Sequence, residues 1–129
     1  MTINFLNPKT VSFSGKYSLA AEVPAGAKLL FVSGQVGTAP DGKLAPGFEA
    51  QCEQVWKNIG AVLAEGGMTY KDIVKVTVFL TDSRFVAPYR DVRDRFVKDM
   101  PYPASTLLVV QALADPAMLV EVEVVAAKG

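Results

Sequence analysis

The chain has 129 residues, half of them apolar, and its thirteen basic and thirteen acidic side chains cancel. That is enough for one domain with its own core, and a balanced charge gives no electrostatic pull toward nucleic acid or anionic lipid. One cysteine and no histidine exclude an internal disulfide, a Ser-His-Asp triad and a Cys-His pair, which leaves chemistry to carboxylates, hydroxyls, backbone N–H groups, bound water, Lys or Arg.

No apolar run reaches the ~18 residues of a membrane span. The opening stretch MTINFLNPKT lacks the charged and apolar regions of a secretory leader, so a reducing, cytoplasmic setting is expected. No repeat or linker interrupts residues 1–129, which read as a single domain. KYSLAAEV (16–23) predicts a short strand closed by Pro24 and Gly26. KLLFVSGQVG (28–37) predicts a second strand that runs straight into Ser33-Gly34-Gln35. Asp41-Gly42 marks a tight turn.

From Phe48 onward, Cys52, Val55, Trp56, Ile59, Val62, Leu63 and Gly66 recur at helical spacing. Gly66-Gly67 supplies the stop. TYKDI is a short helical turn capped by Thr69, with Asp72 at the reciprocal position. IVKVTVFLTD (73–82) is rich in β-branched residues and predicts a strand. A second helix follows over Ala87–Asp99. Pro88 falls in its first turn, where a missing N–H costs little, and Tyr89, Val92 and Phe96 share a face. The last two apolar runs, 104–113 and 118–127, predict a hairpin across ALADPA. The order β-β-α-β-α-β-β predicts an α+β fold with both helices on one face of a mixed sheet. Leu29 and Phe31 oppose Leu30 and Val32, and Leu107 and Val109 oppose Leu108 and Val110. Strands apolar on both sides are buried on both sides. Two helices cover one face, so a second copy of the chain is expected on the other.

Glu121 and Glu123 lie two apart in a strand and therefore share a face, about 6.5–7 Å from each other. They are either a solvated rim or a carboxyl placed to hold a water and move a proton. Gly34, directly after a buried strand, either lets a backbone N–H approach a ligand or forms a bulge. Tyr17 either offers its phenol to a pocket or is a half-buried strand aromatic. Cys52 and Trp56 read as core. Arg90, Arg93 and Arg95 read as a solvated face with Asp91 and Asp94, unless one turns toward a subunit boundary.

In order and spacing, GKYSLA, FVSGQVG, DGKL, QVWKNIGAVLAEGGMTYKDIVKVTVFLTD, PAST and LVEVEVVA resemble the RidA (YjgF/L-PSP) family over roughly Tyr17 to Ala126. The resemblance implies a chorismate-mutase-like α+β domain forming a homotrimer with an inner barrel and small-molecule clefts between subunits. It implies hydrolysis of reactive enamines and imines, such as 2-iminopropionate, without metal or organic cofactor. It implies that Tyr17 is the pocket tyrosine and that Gly34 faces the ligand through its N–H. Glu121 would hold the attacking water, and Leu107 would contact ligand through its amide. Ser105 stands where RidA-type deaminases carry the arginine that grips the substrate carboxylate, and Tyr89 stands at a frequent asparagine. A charged hydrogen bond contributes ~1.5–3 kcal/mol against ~0.5–1.5 for a neutral one, so weak activity on simple 2-imino acids is expected. Two readings stay open: a C=N hydrolase of altered substrate class, and a trimer that binds a small metabolite without turning it over. A ribonuclease reading has little physical support in a neutral chain without histidine.

Overall fold

The computed structural model describes residues 2–129. Eight elements follow one another: β1 (Asn4–Leu6), β2 (Ala20–Glu22), β3 (Lys28–Val36), α1 (Phe48–Glu65), β4 (Ile73–Leu80), α2 (Val86–Phe96), β5 (Ala104–Val109) and β6 (Val120–Lys128). The fold is α+β: a four-stranded mixed sheet in the order β3-β6-β4-β5, with β1 and β2 forming a separate two-stranded ribbon. No helix among the described residues is long and apolar enough to cross a membrane.

The core lies between the helices and one face of the sheet. Cys52, Val55, Trp56, Ile59 and Leu63 from α1 meet Val76, Val78 and Leu80 from β4 and Val120, Val122, Val124 and Ala126 from β6. The expected helix face is therefore the buried one, except for Val62, which is an exposed edge of it. Helix α1 ends in a Schellman motif: Gly67 adopts φ +74, and the Met68 and Gly67 amides donate to Leu63 and Ala64. Thr69 and Asp72 form the expected capping box. Pro88 lies in the first turn of α2, but the helix stops at Phe96 rather than Asp99.

The expected hairpin of the last two strands is not formed. Strand β4 lies between them, parallel to β5 and antiparallel to β6. A helical crossover returns the chain parallel to the strand it left, so α2 delivers β5 beside β4. Residues 110–119 then step over the end of β4, where Val110 donates to Leu80 and Thr81 to Leu119, and β6 enters the sheet's centre. The expected strand over 16–23 is also shorter: only Ala20–Glu22 pairs, and with β1, a partner not expected from sequence. Its first residues are pinned instead to the start of β5. The Ser18 amide donates to the Pro103 carbonyl at 3.0 Å and its hydroxyl to Tyr102 at 2.7 Å. That anchoring is what brings Tyr17 to β5.

The other face of the sheet carries no helix. Phe31 is 72% exposed there and Leu29 48% on β3, and Leu108 is 42% exposed on β5.

Candidate functional site

The six sequence-predicted site residues fall into two groups. Tyr17, Tyr89, Ser105 and Leu107 converge on a cleft of about 240 Å³ between β5, α2 and the segment before β2. Ser105 and Leu107 pair with Val76 and Val78, whose side chains are in the helix-side core, so they face α2. Tyr17 stacks edge-on against Phe13, with ring centroids 5.3 Å apart. Tyr89 is 1% exposed, and its hydroxyl has no hydrogen-bond partner among the described residues. Burial pushes that phenol's pKa up, so it remains a neutral donor.

Gly34 and Glu121 make the second group. The β3–β6 register shifts between Val32 and Gln35, which places Gly34 in an irregular stretch of the ladder. A Cβ at position 34 would collide with the Glu121 carboxylate. The side chain of Glu121 thus lies over bare backbone, half-buried. Among the described residues nothing donates a hydrogen bond to its carboxylate. Glu123, two residues on, is exposed. It lines a separate hollow of about 250 Å³ with Phe31, Ser33, Lys75 and Thr77. The two acids share a strand face but not an environment.

The groups do not meet within one chain. Glu121 pairs with Phe79 and projects on the helix-free face, whereas Ser105 and Leu107 project on the helix face. Each group is half of the expected site.

The sequence left open whether an arginine of the second helix turns toward a subunit boundary, and gave no place to Lys16. Lys16, Arg90 and Arg93 border the cleft. Arg93 is not on a solvated face, because its side chain is only 16% exposed. Its guanidinium carbon lies 5.9 Å from the Tyr89 ring centroid, and Nε and Nη2 each reach Asp94 Oδ1 at 3.0 Å. Lys16 Nζ donates to the other Asp94 oxygen at 3.0 Å. Burial raises the Asp94 pKa, but the hydrogen bonds from Lys16 and Arg93 outweigh it and hold the carboxyl below its ordinary range. The signal was present: Arg93 is four residues after Tyr89 and so shares its inward helix face.

Behind Ser105 a small hollow of about 20 Å³ is bordered by Trp56, Val76, Arg93 and Asp94. The Trp56 indole N–H is buried without a partner among the described residues. Cys52 is fully buried, and burial raises its thiol pKa to about 12, which makes it a core residue and not a nucleophile. Among the described residues no group of three or more histidine, cysteine or acidic side chains is gathered to hold a metal ion.

The profile of the family described as Endoribonuclease L-PSP matches residues 9–128. The chain belongs to the RidA (YjgF/L-PSP) family. It is 39% identical over 123 residues to a RutC family protein of Aquifex aeolicus, covering 94% of this chain and 95% of that one. It is 33% identical over 117 residues to the 2-iminobutanoate/2-iminopropanoate deaminase of Bos taurus, covering 89% and 82%. The crystal structure of the Rid family protein YyfB from Yersinia pestis superposes with a TM-score of 0.88 at 29% identity, over 99% of this chain and all of that one. RidA-family membership and the α+β fold agree with the expectations from sequence.

Proposed function

We propose that this chain is a hydrolase of reactive imines or enamines, working at seams between copies of a homotrimer. The observation that carries the reading is the seating of Glu121, whose carboxylate lies over Gly34 and accepts no hydrogen bond from the described residues. A water held there loses a proton to Glu121 as its oxygen bonds to the C=N carbon. The C=N electron pair moves to nitrogen, which takes up a proton. That proton is the one Glu121 took from the water; the carboxylate then carries the proton of the new hydroxyl to nitrogen, the C–N bond breaks, ammonia leaves, a carbonyl remains and Glu121 is again ionised. An enamine enters the same path once protonated at carbon to the imine. The Gly34 amide, and an amide of β5 at Leu107, would polarise the electrophile. Strand β5 is the sheet's edge, so half of its N–H groups point away from β4.

The seam supplies what one chain lacks. Glu121 is on the helix-free face and the cleft on the helix face, so a second copy brings the cleft of one chain to the glutamate of another. The exposed Phe31, Leu29 and Leu108 give that association an apolar driving force. With serine at 105, 2-iminopropionate is expected to turn over more slowly than in a chain carrying arginine there. The second reading, a trimer that binds a metabolite without turning it over, draws on that same serine.

The test generates 2-iminopropionate, or a bulkier imine, in situ with an amino-acid oxidase and follows its decay. Faster decay with the protein, lowered at least about 100-fold by Glu121→Gln, is the expected result for a general base. No acceleration with any imine overturns the hydrolase reading. Saturable binding of a carbonyl compound in that case favours the binder.

A further inference from the structure

Charge around the cleft is one-sided. Lys16, Arg90 and Arg93 line it and, among the described residues, no carboxylate does, on a chain whose charges cancel overall. Asp94, just behind, is already shared by Lys16 and Arg93, so that trio keeps a net positive charge. Like charges around a concavity focus a potential that gathers anions.

Arg93 is the member built to hold one. It is held on two sides, by Asp94 and by the Tyr89 ring. Nη1 has no partner among the described residues. A guanidinium fixed in this way loses little freedom when it takes a ligand. It lines both the cleft and the small cavity behind Ser105, so it reaches the same space that a long side chain at 105 would fill. The Tyr89 hydroxyl, buried and without a hydrogen-bond partner among the described residues, is a second, neutral donor on the cleft wall.

We propose that Arg93 is the anion-binding residue of this cleft, entering from α2 in place of a guanidinium on β5, and that the ligand is a small imine or carbonyl compound bearing a carboxylate. The inference rests on the cleft being half of the proposed hydrolase site. It reverses one consequence of Ser105, because the grip is moved to the helix rather than lost. Arg90, exposed and without an ion-pair partner among the described residues, adds longer-range attraction.

Titration calorimetry with pyruvate and with 4-oxopentanoate, and with acetone as the neutral control, tests it. The native protein is expected to bind at least one oxo acid, more weakly as salt rises, and acetone far less. Arg93→Gln should weaken oxo-acid binding about 10- to 100-fold. Arg93→Lys keeps a charge for Asp94 but loses the planar fork, and should fall between. Thermal unfolding identifies which variants are folded, and the lysine variant carries the test if the glutamine variant is not. The proposal is overturned if a folded Arg93 variant binds both oxo acids as tightly as the native chain, or if the native chain binds neither. Imine turnover that needs Glu121 but ignores Arg93 sinks this proposal and spares the hydrolase. Arg93-dependent binding without any imine turnover does the reverse.

Discussion

Gly34 and Glu121 are coupled by space. The obstacle to a side chain at 34 is the far end of a flexible glutamate, which can swing aside into another staggered rotamer without the strain of an off-rotamer angle. Gly34→Ala is therefore expected to leave the unfolding midpoint nearly unchanged while moving the carboxylate off its seat. Imine turnover should fall by at least about tenfold through kcat. A stable Gly34→Ala protein with native turnover would show that Glu121 does not need that seat. At this scale, the residues legible in the sequence were those whose spacing in a strand fixes their direction. Glu121 and Glu123 share a face as their spacing requires, and Ser105 and Leu107 do the same. What separates half-buried Glu121 from exposed Glu123 is a shift in ladder register, which depends on how two distant strands pair. Arg93 was left open for a related reason: a charged residue on a short helix looks solvated until the neighbouring strand and the Lys16 loop are in place.

At the level of elements, α1 and β4 were legible because each repeats its pattern long enough to settle its period. The β5–β6 pairing was not, since two consecutive apolar strands look like a hairpin until the crossover through α2 is counted. Helix α1 also has a contact that its sequence hides. Gly60 stands in mid-helix, where alanine ordinarily stabilises by about 1 kcal/mol. Here the Tyr70 hydroxyl and the ring carbon that bears it occupy the place a Cβ would take, and the hydroxyl donates to the Trp56 carbonyl at 2.6 Å. Gly60→Ala should reverse the usual sign. Displacing the phenol forfeits about 0.5–1.5 kcal/mol of hydrogen bonding and a similar amount of edge-on contact with Trp56, which outweighs the helix gain for a net loss of up to about 2 kcal/mol in urea unfolding. The loss should shrink in a Tyr70→Phe background, because part of the collision is with the hydroxyl. A more stable Gly60→Ala protein would mean that the helix yields more readily than the ring contact implies.

For the molecule as a whole, the helix-free face poses the question that one chain does not answer. Apolar side chains stand on it from both outer strands of the sheet, Phe31 on β3 and Leu108 on β5. The same face carries Glu121, while the cleft opens on the other. A monomer would leave both the apolar surface and the half-sites unsatisfied. Assembly resolves both together, which makes size and activity inseparable in the proposed reading. An aspartate at either outer strand puts a charge where an apolar seam would close, and desolvating that charge opposes association. Phe31→Asp and Leu108→Asp are each expected to shift the mass measured by light scattering toward one chain, with the far-ultraviolet spectrum retained, and to lose imine turnover in the same proportion. The two positions lie on strands separated by β6 and β4, so a common effect points to assembly and not to local damage at one site. A monomeric variant that still hydrolyses imines would instead place the whole reaction within a single chain, and the division between the two half-sites would lose its meaning.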